Sequence, residues 1–173
     1  MELWDVYDSE RRPQGRTMVR GSEFKPGDMH LVVEVCAFNS KGEMLIQRRH
    51  PSKEGFPNMW EFTASGSVLA GETSAQGAER ELLEEVGLHA SFEGKAPNFT
   101  ATMGNNFYDF FIIELEAEIS ELTLQPEEVS EAKWASREEI LSLLDNKEFV
   151  PYHKSLIELL FAAHDCNNNL GRV

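Results

Sequence analysis

Residues 66–88 constrain the fold more than any other stretch, because their second half predicts a helix that is bounded at both ends. Thr73 and Gln76 have the spacing of a capping box, and Gly87 is suited to a left-handed helix stop. The apolar residues between these limits recur every three to four positions and form one stripe: Ala75, Ala78, Leu82 and Val86. We therefore expect an amphipathic helix that packs on a hydrophobic core.

Three carboxylates lie on another face of this helix and indicate a metal site. Glu81, Glu84 and Glu85 are spaced i, i+3 and i+4. Their like charges stack within about one turn and destabilise the helix by roughly a few tenths of a kcal/mol per pair. They also lie near the helix C-terminus, which disfavours anions. A divalent cation would reverse both penalties, because hard ions such as Mg²⁺ bind carboxylate oxygens.

The same stretch matches, without a gap, the pattern G-x5-E-x7-R-E-U-x-E-E-x-G-U, in which U is aliphatic. The matching residues are Gly66, Glu72, Arg80, Glu81, Leu82, Glu84, Glu85, Gly87 and Leu88. On this pattern the chain resembles the Nudix hydrolase superfamily. The resemblance implies an α/β/α sandwich with a mixed central sheet, and hydrolysis of a diphosphate linkage with Mg²⁺ or Mn²⁺ as the cofactor.

The resemblance also assigns roles within this stretch. It implies that Glu81 and Glu85 are direct metal ligands and that Glu84 shares the metals or orients a water. The carbonyl oxygen of Gly66 is a further candidate ligand. Arg80 is expected to orient the glutamates or to contact phosphate, and an ordinary surface ion pair with Glu84 at i+4 is the alternative.

The sequence offers more than one candidate for the general base. Glu81 serves this role in some members of the superfamily, and other members use an acid from a loop outside the motif. In this chain the loop candidates follow Pro126 and are Glu127, Glu128 and Glu131.

A narrower resemblance is to the isopentenyl-diphosphate isomerase branch of the same superfamily. It rests on residues 48–53, Pro57, Trp60 and the run 65–67 before Gly71. It implies that Arg49 and Lys53 grip the diphosphate, since arginine offers a fork and lysine a point charge to phosphate oxygens. Solvated loop cations are the alternative interpretation of both residues.

Two departures argue against isomerase activity. The catalytic cysteine of the isomerases is replaced by Ser65, whose hydroxyl is a far weaker acid than a thiol, and a metal-binding histidine is replaced by Ser67. His30 matches another metal-binding histidine of that branch, but without its partners we expect a strand-end histidine.

The composition disfavours some classes of binding partner and is compatible with others. The 173 residues predict one domain spanning positions 1–173. Sixteen basic and thirty acidic residues give a net charge of −14, which disfavours duplex nucleic acid and anionic membranes as partners. Local cations and a metal still permit a small anionic substrate. Two cysteines, and the absence of a signal peptide or a membrane-spanning apolar run, favour the cytoplasm.

Hydrophobic patterning places several strands and helices around the motif. Residues 30–38 are apolar on both faces, as in a central strand, and the turn at 39–42 joins them to a second strand at 43–47. Residues 8–27 are polar and indicate a loop with at most one short strand. Other expected strands are 4–7, 89–93, 99–103, 107–119 and 131–134. Ser136 and Glu139 predict a capping box for a penultimate helix, and a last helix is expected at 152–163.

These observations favour a metal-dependent hydrolase that acts on a small-molecule diphosphate, such as a nucleoside-diphosphate-type compound. An isomerase acting on a prenyl diphosphate and a non-catalytic sensor of a diphosphate metabolite are the alternatives. Four aromatic residues are candidates either for the core or for stacking on substrate: Trp60, Phe62, Phe107 and Tyr108. The N-terminal strand is also able to pair across a homodimer.

Overall fold

The computed structural model describes residues 2–170, with side chains described for residues 2–166. Its strands, in chain order, are β1 (Leu3–Tyr7), β2 (Pro13–Val19), β3 (His30–Phe38), β4 (Met44–Arg49), β5 (Trp60–Glu61), β6 (Ala64–Ser67), β7 (Phe99–Met103), β8 (Asn106–Glu114) and β9 (Val129–Ala135). The helices are α1 (Ser74–Val86), α2 (Arg137–Asp145) and α3 (Lys154–Leu170). Strands β3 to β9 form one seven-stranded mixed sheet, and β1 and β2 form a separate antiparallel pair.

Strand β3 is the centre of the sheet, as its apolar sequence predicts. All nine of its residues are buried. It pairs in parallel with β8 and antiparallel with β6. Strand β8 ends at Glu114, five residues before the predicted end, because its partner β3 ends at Phe38. The last backbone bond between them runs from the Leu115 N–H to the Phe38 carbonyl, at 2.8 Å.

The predicted hairpin between β3 and β4 forms, but the two strands separate at once. Phe38 and Met44 are their one paired position in the described sheet, and β4 then pairs with β5 and β9. Thr63 bridges the resulting gap, because its hydroxyl accepts from the Ala37 N–H at 2.9 Å and donates to the Leu45 carbonyl at 2.6 Å. Beyond Thr63 the sheet is split.

Helices cover both faces of the sheet, which confirms the predicted α/β/α sandwich. On one face the α1 stripe is buried against β3 and β8, with Ala78, Leu82 and Val86 fully buried. On the other face α2 and α3 pack through Ile140, Ile157 and other apolar residues. None of the helices in the described part of the chain combines the length and the hydropathy needed to cross a bilayer.

Several predicted boundaries were wrong. Residues 89–93 form no strand, although Phe92 is buried. The polar stretch 8–27 contains β2, which agrees with the one short strand that the sequence allowed there, but the mostly exposed side chains of β2 show no apolar alternation that could set its bounds. Helix α3 begins at Lys154 and extends to Leu170. In α2, Ser136 accepts from the Glu139 N–H, but the Glu139 carboxylate pairs with Lys133 at 2.6 Å and completes no capping box.

Candidate active site

A cavity of about 390 Å³ opens where β3 and β4 have separated, next to the glutamate face of α1. Seven carboxylates line it, from Glu2, Glu34, Glu61, Glu81, Glu84, Glu85 and Glu128. Four cations line it, from Arg20, Arg49, Lys53 and Arg80. The structure therefore brings the motif residues Gly66, Arg80, Glu81, Glu84 and Glu85 and the two predicted phosphate-binding cations to one cavity.

Helix α1 is fixed at both ends as its sequence predicts. Thr73 and Gln76 form a complete capping box, and Gly87 has a left-handed φ of 73°. The N–H of Gly87 bonds to carbonyls of the last turn. The caps fix the ends of the helix, and the burial of its apolar stripe in the core turns the glutamates toward the cavity.

Arg80 links the glutamates to the loop before the helix. Its guanidinium donates to both oxygens of Glu72 at 2.8 and 3.0 Å and to the Ser67 carbonyl at 2.9 Å. It also donates to Glu81 at 2.7 Å and Glu84 at 3.2 Å. The predicted ion pair with Glu84 is thus present together with the orienting contacts. Arg80 therefore holds the carboxylates of Glu72, Glu81 and Glu84 in place.

Gly66 leaves the space that the Glu81 carboxylate fills. A Cβ at position 66 would overlap with the carboxylate carbon and both carboxylate oxygens of Glu81. Burial raises the pKa of Glu81 to about 7, and the ion pair with Arg80 partly opposes that rise. Glu81 is therefore able to take up and release a proton near neutral pH.

Glu85 lies deeper than the other two glutamates and is only 5% exposed. Its Oε2 accepts from Gln47 Nε2 at 2.7 Å and from the Ser65 N–H at 3.0 Å. Burial raises the pKa of Glu85, and repulsion from Glu61 and Glu81 raises it further. Two donors from different strands thus hold a carboxylate whose charge is otherwise poorly compensated.

The three glutamates do not form a closed metal site in this arrangement. Among the side chains described, no three His, Cys, Asp or Glu groups are placed so that they hold a metal ion. Arg80 draws Glu81 and Glu84 to one side, whereas Gln47 and Ser65 hold Glu85. The donor set nevertheless fits a hard divalent cation, since it offers carboxylate oxygens beside a glycine backbone.

The two predicted phosphate-binding cations each have a carboxylate partner. Arg49 donates to both oxygens of the buried Glu61 at 2.8 Å and to the Gly55 carbonyl at 2.8 Å. Lys53 pairs with Glu128. Arg20, which pairs with Glu2 at 2.7 Å at the cavity mouth, is a fourth cation that the sequence placed in a loop without a role.

The loop candidates for general base separate by position. Glu128 lines the cavity, whereas Glu131 pairs with Arg48 at 3.3 Å and neither Glu131 nor Glu127 is among the residues lining the cavity.

The four aromatic candidates for substrate stacking also differ in position. Trp60, Phe62 and Phe107 belong to the core, and Tyr108 lines the cavity.

Sequence reasoning missed a second buried group in this cavity, formed by Glu34 and Tyr152. The Tyr152 hydroxyl donates to Glu34 Oε1 at 2.9 Å. Burial raises the pKa of Glu34 to about 8, with a further contribution from the negative charge of Glu61. One sequence signal was present, since Glu34 is the only charged residue in the otherwise apolar run 31–38.

His30 makes no contact with the glutamates of α1. Its ring stacks on Trp4 with centroids 4.1 Å apart, and its Nε2 lies 3.4 Å from the Ser67 hydroxyl. His30 is 4% exposed and opens β3. The structure therefore places it as the strand-end histidine that the sequence favoured.

Comparison with known proteins gives a consistent result. A family model described as the NUDIX domain matches residues 28–160. An uncharacterised Nudix hydrolase of Listeria monocytogenes is 44% identical over 152 residues, which cover 88% of this chain and 90% of that protein. An isopentenyl-diphosphate Delta-isomerase of Halorhodospira halophila is 37% identical over 87 residues, or 50% of each protein.

A solved structure from Deinococcus radiodurans has the same fold. It superposes with a TM-score of 0.74 at 24% sequence identity, covering 94% of this chain and 99% of that one. The domain match, the full-length relative and the complete glutamate motif on α1 agree, and the chain belongs to the Nudix hydrolase family.

Proposed function

We propose that this Nudix hydrolase cleaves the diphosphate linkage of a small organic diphosphate, with Mg²⁺ or Mn²⁺ as its cofactor. The observation that carries the proposal is the fit of the Glu81 carboxylate into the space left by Gly66. A side chain at position 66 would displace that carboxylate, so the glycine and the glutamate act as one unit. A solvated acidic helix face would not require glycine at position 66. A site built around the Glu81 carboxylate does require it.

Glu81, Glu84, Glu85 and the Gly66 carbonyl oxygen would hold the metal. When bound, the metal supplies charge neutralisation on the phosphate and lowers the pKa of a water. Glu81 is the candidate base, because burial raises its pKa to about 7. Glu128 is the alternative base in the cavity wall, provided that Lys53 releases it to bind phosphate.

The cavity cations would bind the phosphate that does not contact the metal. Arg49 is already oriented by Glu61 and Gly55, and such preorientation lowers the entropy lost when a phosphate binds. Arg80 keeps the glutamates in position through its contacts with Glu72 and Ser67. The location in the cytoplasm and the homodimer that the sequence suggested remain predictions.

The test is an assay of the purified chain with Mg²⁺ or Mn²⁺ on a panel of organic diphosphates. Phosphate or nucleotide release and double-bond migration are both measured. We expect metal-dependent cleavage that Glu85→Gln abolishes and that the exposed control Glu158→Gln leaves unchanged. Cleavage that persists in Glu85→Gln would contradict the assignment of the glutamates.

The isomerase alternative has one observation in its favour, the half-length similarity to isopentenyl-diphosphate isomerases. Against it, the position of the isomerase cysteine holds Ser65, whose hydroxyl is a far weaker acid than a thiol. Double-bond migration without cleavage in the same assay would establish the isomerase. Saturable binding with neither reaction would establish a sensor.

A further inference from the structure

Glu34 is a buried carboxyl group with one unused oxygen in the wall of the cavity. It is 1% exposed, and it lines the cavity from the middle of β3. Tyr152 donates to its Oε1 at 2.9 Å, whereas Oε2 has no hydrogen-bond partner among the residues described. Buried polar groups in folded proteins are nearly always hydrogen-bonded, so such an exception requires an explanation.

The surroundings of Glu34 do not explain it as a structural ion pair. The positive charge of Arg49 lowers the pKa of Glu34, but the guanidinium of Arg49 is bound by both oxygens of Glu61. Glu61 itself adds a like charge, the Tyr152 hydroxyl is bound to Oε1, and the Ser65 hydroxyl lowers the pKa of Glu34 without forming a hydrogen bond of normal length. An apolar residue at position 34 would fit the valine-rich strand better, because a buried carboxyl without compensation destabilises a fold.

The walls near Glu34 suit the organic part of a substrate. Val32, Val150 and the rings of Tyr108 and Tyr152 line the cavity together with Glu34. The glutamates of α1 and the cations line the rest of it. Apolar walls with a few placed polar groups are typical of sites that bind a small organic molecule and fix its orientation.

We propose that Glu34, held in place by Tyr152, is the specificity-determining residue that hydrogen-bonds a polar group on the organic part of the substrate. This inference rests on the proposed function and narrows its substrate class. A nucleobase or a sugar offers N–H or O–H donors to the free oxygen of Glu34. A prenyl chain offers none, and its binding would leave the carboxyl group without a partner.

The consequence is discrimination between two classes of diphosphate. A site built to hydrogen-bond its substrate rejects analogues without the bonding group much more strongly than an apolar pocket rejects a change in size. Nucleoside-diphosphate-type substrates are therefore expected to bind, and prenyl diphosphates are expected to be excluded. Tyr152 is a positioning residue in this scheme, because it acts through Glu34.

The experiment measures binding and turnover with the same set of compounds: ADP, CDP, GDP, UDP and isopentenyl diphosphate. Binding is followed by calorimetry with Ca²⁺, and turnover is followed with Mg²⁺ and with Mn²⁺. In the wild-type chain at least one nucleoside diphosphate is expected to bind about tenfold or more tightly than isopentenyl diphosphate. Equal binding of all five compounds, tighter binding of isopentenyl diphosphate, or no binding of any nucleoside diphosphate would overturn the proposal.

Three variants assign this preference to residues. Glu34→Gln keeps the shape of the side chain and is expected to weaken the preferred nucleotide about tenfold, with little change for isopentenyl diphosphate. Tyr152→Phe is expected to give a smaller change in the same direction and to alter the ranking of the four nucleotides. Glu158→Gln, which removes an exposed charge from α3, is expected to change nothing. An equal loss for all compounds in Glu34→Gln would refute a role in specificity.

Further measurements distinguish a folding defect from a failure of either proposal. The melting temperature of Glu34→Gln shows whether the variant is folded, and Glu34→Leu offers a second test that leaves no buried carboxyl group. Selective binding that depends on Glu34, without product release, would reject the hydrolase and keep the specificity residue. Metal-dependent cleavage with a ranking unaffected at position 34 would keep the hydrolase and reject the specificity residue.

Discussion

At the residue scale, the site depends on one position that has no side chain. Gly66 lies on β6, and the Glu81 carboxylate occupies the volume next to its Cα. The requirement for glycine here is one of space, since the carboxylate of a residue on another element fills the position. The sequence motif shows only that Gly66 and Glu81 occur together. The structure shows that the two residues are in contact.

Gly66→Ala is expected to disable the enzyme and leave it folded. The new Cβ overlaps with side-chain atoms of Glu81 and not with backbone, so the carboxylate moves aside and the fold stays intact. A displacement of about 1 Å in a catalytic group reduces turnover about a hundredfold. Steady-state kinetics should show a lower kcat with a melting temperature close to that of the wild-type chain. An unchanged kcat would mean that Glu81 acts from another position.

His30 is expected to make the fold acid-sensitive. Burial lowers the pKa of His30 from 6.5 to about 4, so between these values the unfolded chain binds more protons than the folded one. Stability therefore falls as the pH drops through this window, by a few kcal/mol at most. Unfolding by denaturant at several pH values measures the effect.

The matched variant for this measurement is His30→Phe, which keeps an aromatic ring against Trp4 and has no titrating group. Raised carboxyl pKa values elsewhere in the site oppose the trend, so the comparison is the difference in stability between the two proteins. That difference is expected to change between pH 6.5 and 4 and to be constant above pH 7. A difference independent of pH would show that His30 is not forced to stay neutral.

At the element scale, a buried carboxylate fastens the turn after β1 to the sheet. Asp109 on β8 is fully buried and accepts from Arg11 Nη1 at 2.7 Å and from the Thr100 hydroxyl at 2.6 Å. Ser74, the first residue of α1, donates to the same carboxylate. One side chain thus connects the β1–β2 pair, the sheet and the start of α1.

Removing Arg11 is expected to destabilise the fold and weaken this connection. Arg11→Ala leaves Asp109 with neutral donors only, and breaking a buried ion pair destabilises a protein by about 3 kcal/mol. The side chain of Arg11 is 33% exposed, so the loss is expected to be smaller, about 2 kcal/mol. Chemical denaturation measures it.

Arg12→Ala is the matched control for this change. The side chain of Arg12 is 65% exposed and pairs with Asp8 and Glu10, and exposed pairs contribute less than about 1 kcal/mol. Equal losses in the two variants would show that the contact with Asp109 has no special role.

At the scale of the whole molecule, the chain is acidic both at its site and beyond it. The net charge is −14, and the cavity contributes seven carboxylates against four cations. Burial raises the pKa of Glu81 and of Glu85, and repulsion from neighbouring carboxylates raises both further. A bound cation removes part of this repulsion, so metal binding and folding stability are coupled.

We expect Mg²⁺ or Mn²⁺ to raise the melting temperature in the absence of substrate. A ligand that binds the folded state alone stabilises it by about 2.7 kcal/mol at a concentration a hundred times its Kd. Glu85→Gln is expected to abolish most of this shift, whereas Glu158→Gln is expected to retain it. Thermal melts over a metal titration provide the test, and an identical shift in both variants would place the metal elsewhere.

The sequence by itself determined the helix α1, the central strand β3 and the family to which the chain belongs. These features are local, because a capping box, a left-handed glycine and an apolar period are each written within a few adjacent residues. The sequence also named the three glutamates of α1, Arg49 and Lys53 as site residues, and these line the cavity, whereas the candidate bases Glu127 and Glu131 do not. It allowed a short strand within residues 8–27 but did not set the bounds of β2, since an exposed polar strand has no hydrophobic period.

Only the tertiary structure decided which groups share the cavity. Glu34 and Tyr152 are 118 positions apart, and Arg20 reaches the cavity mouth from a stretch that the sequence left without a role. Their meeting depends on the separation of β3 from β4 and on the packing of α3 across the sheet. Side chains far apart in the chain come together through many tertiary contacts, and these contacts cannot be predicted from any local pattern of residues.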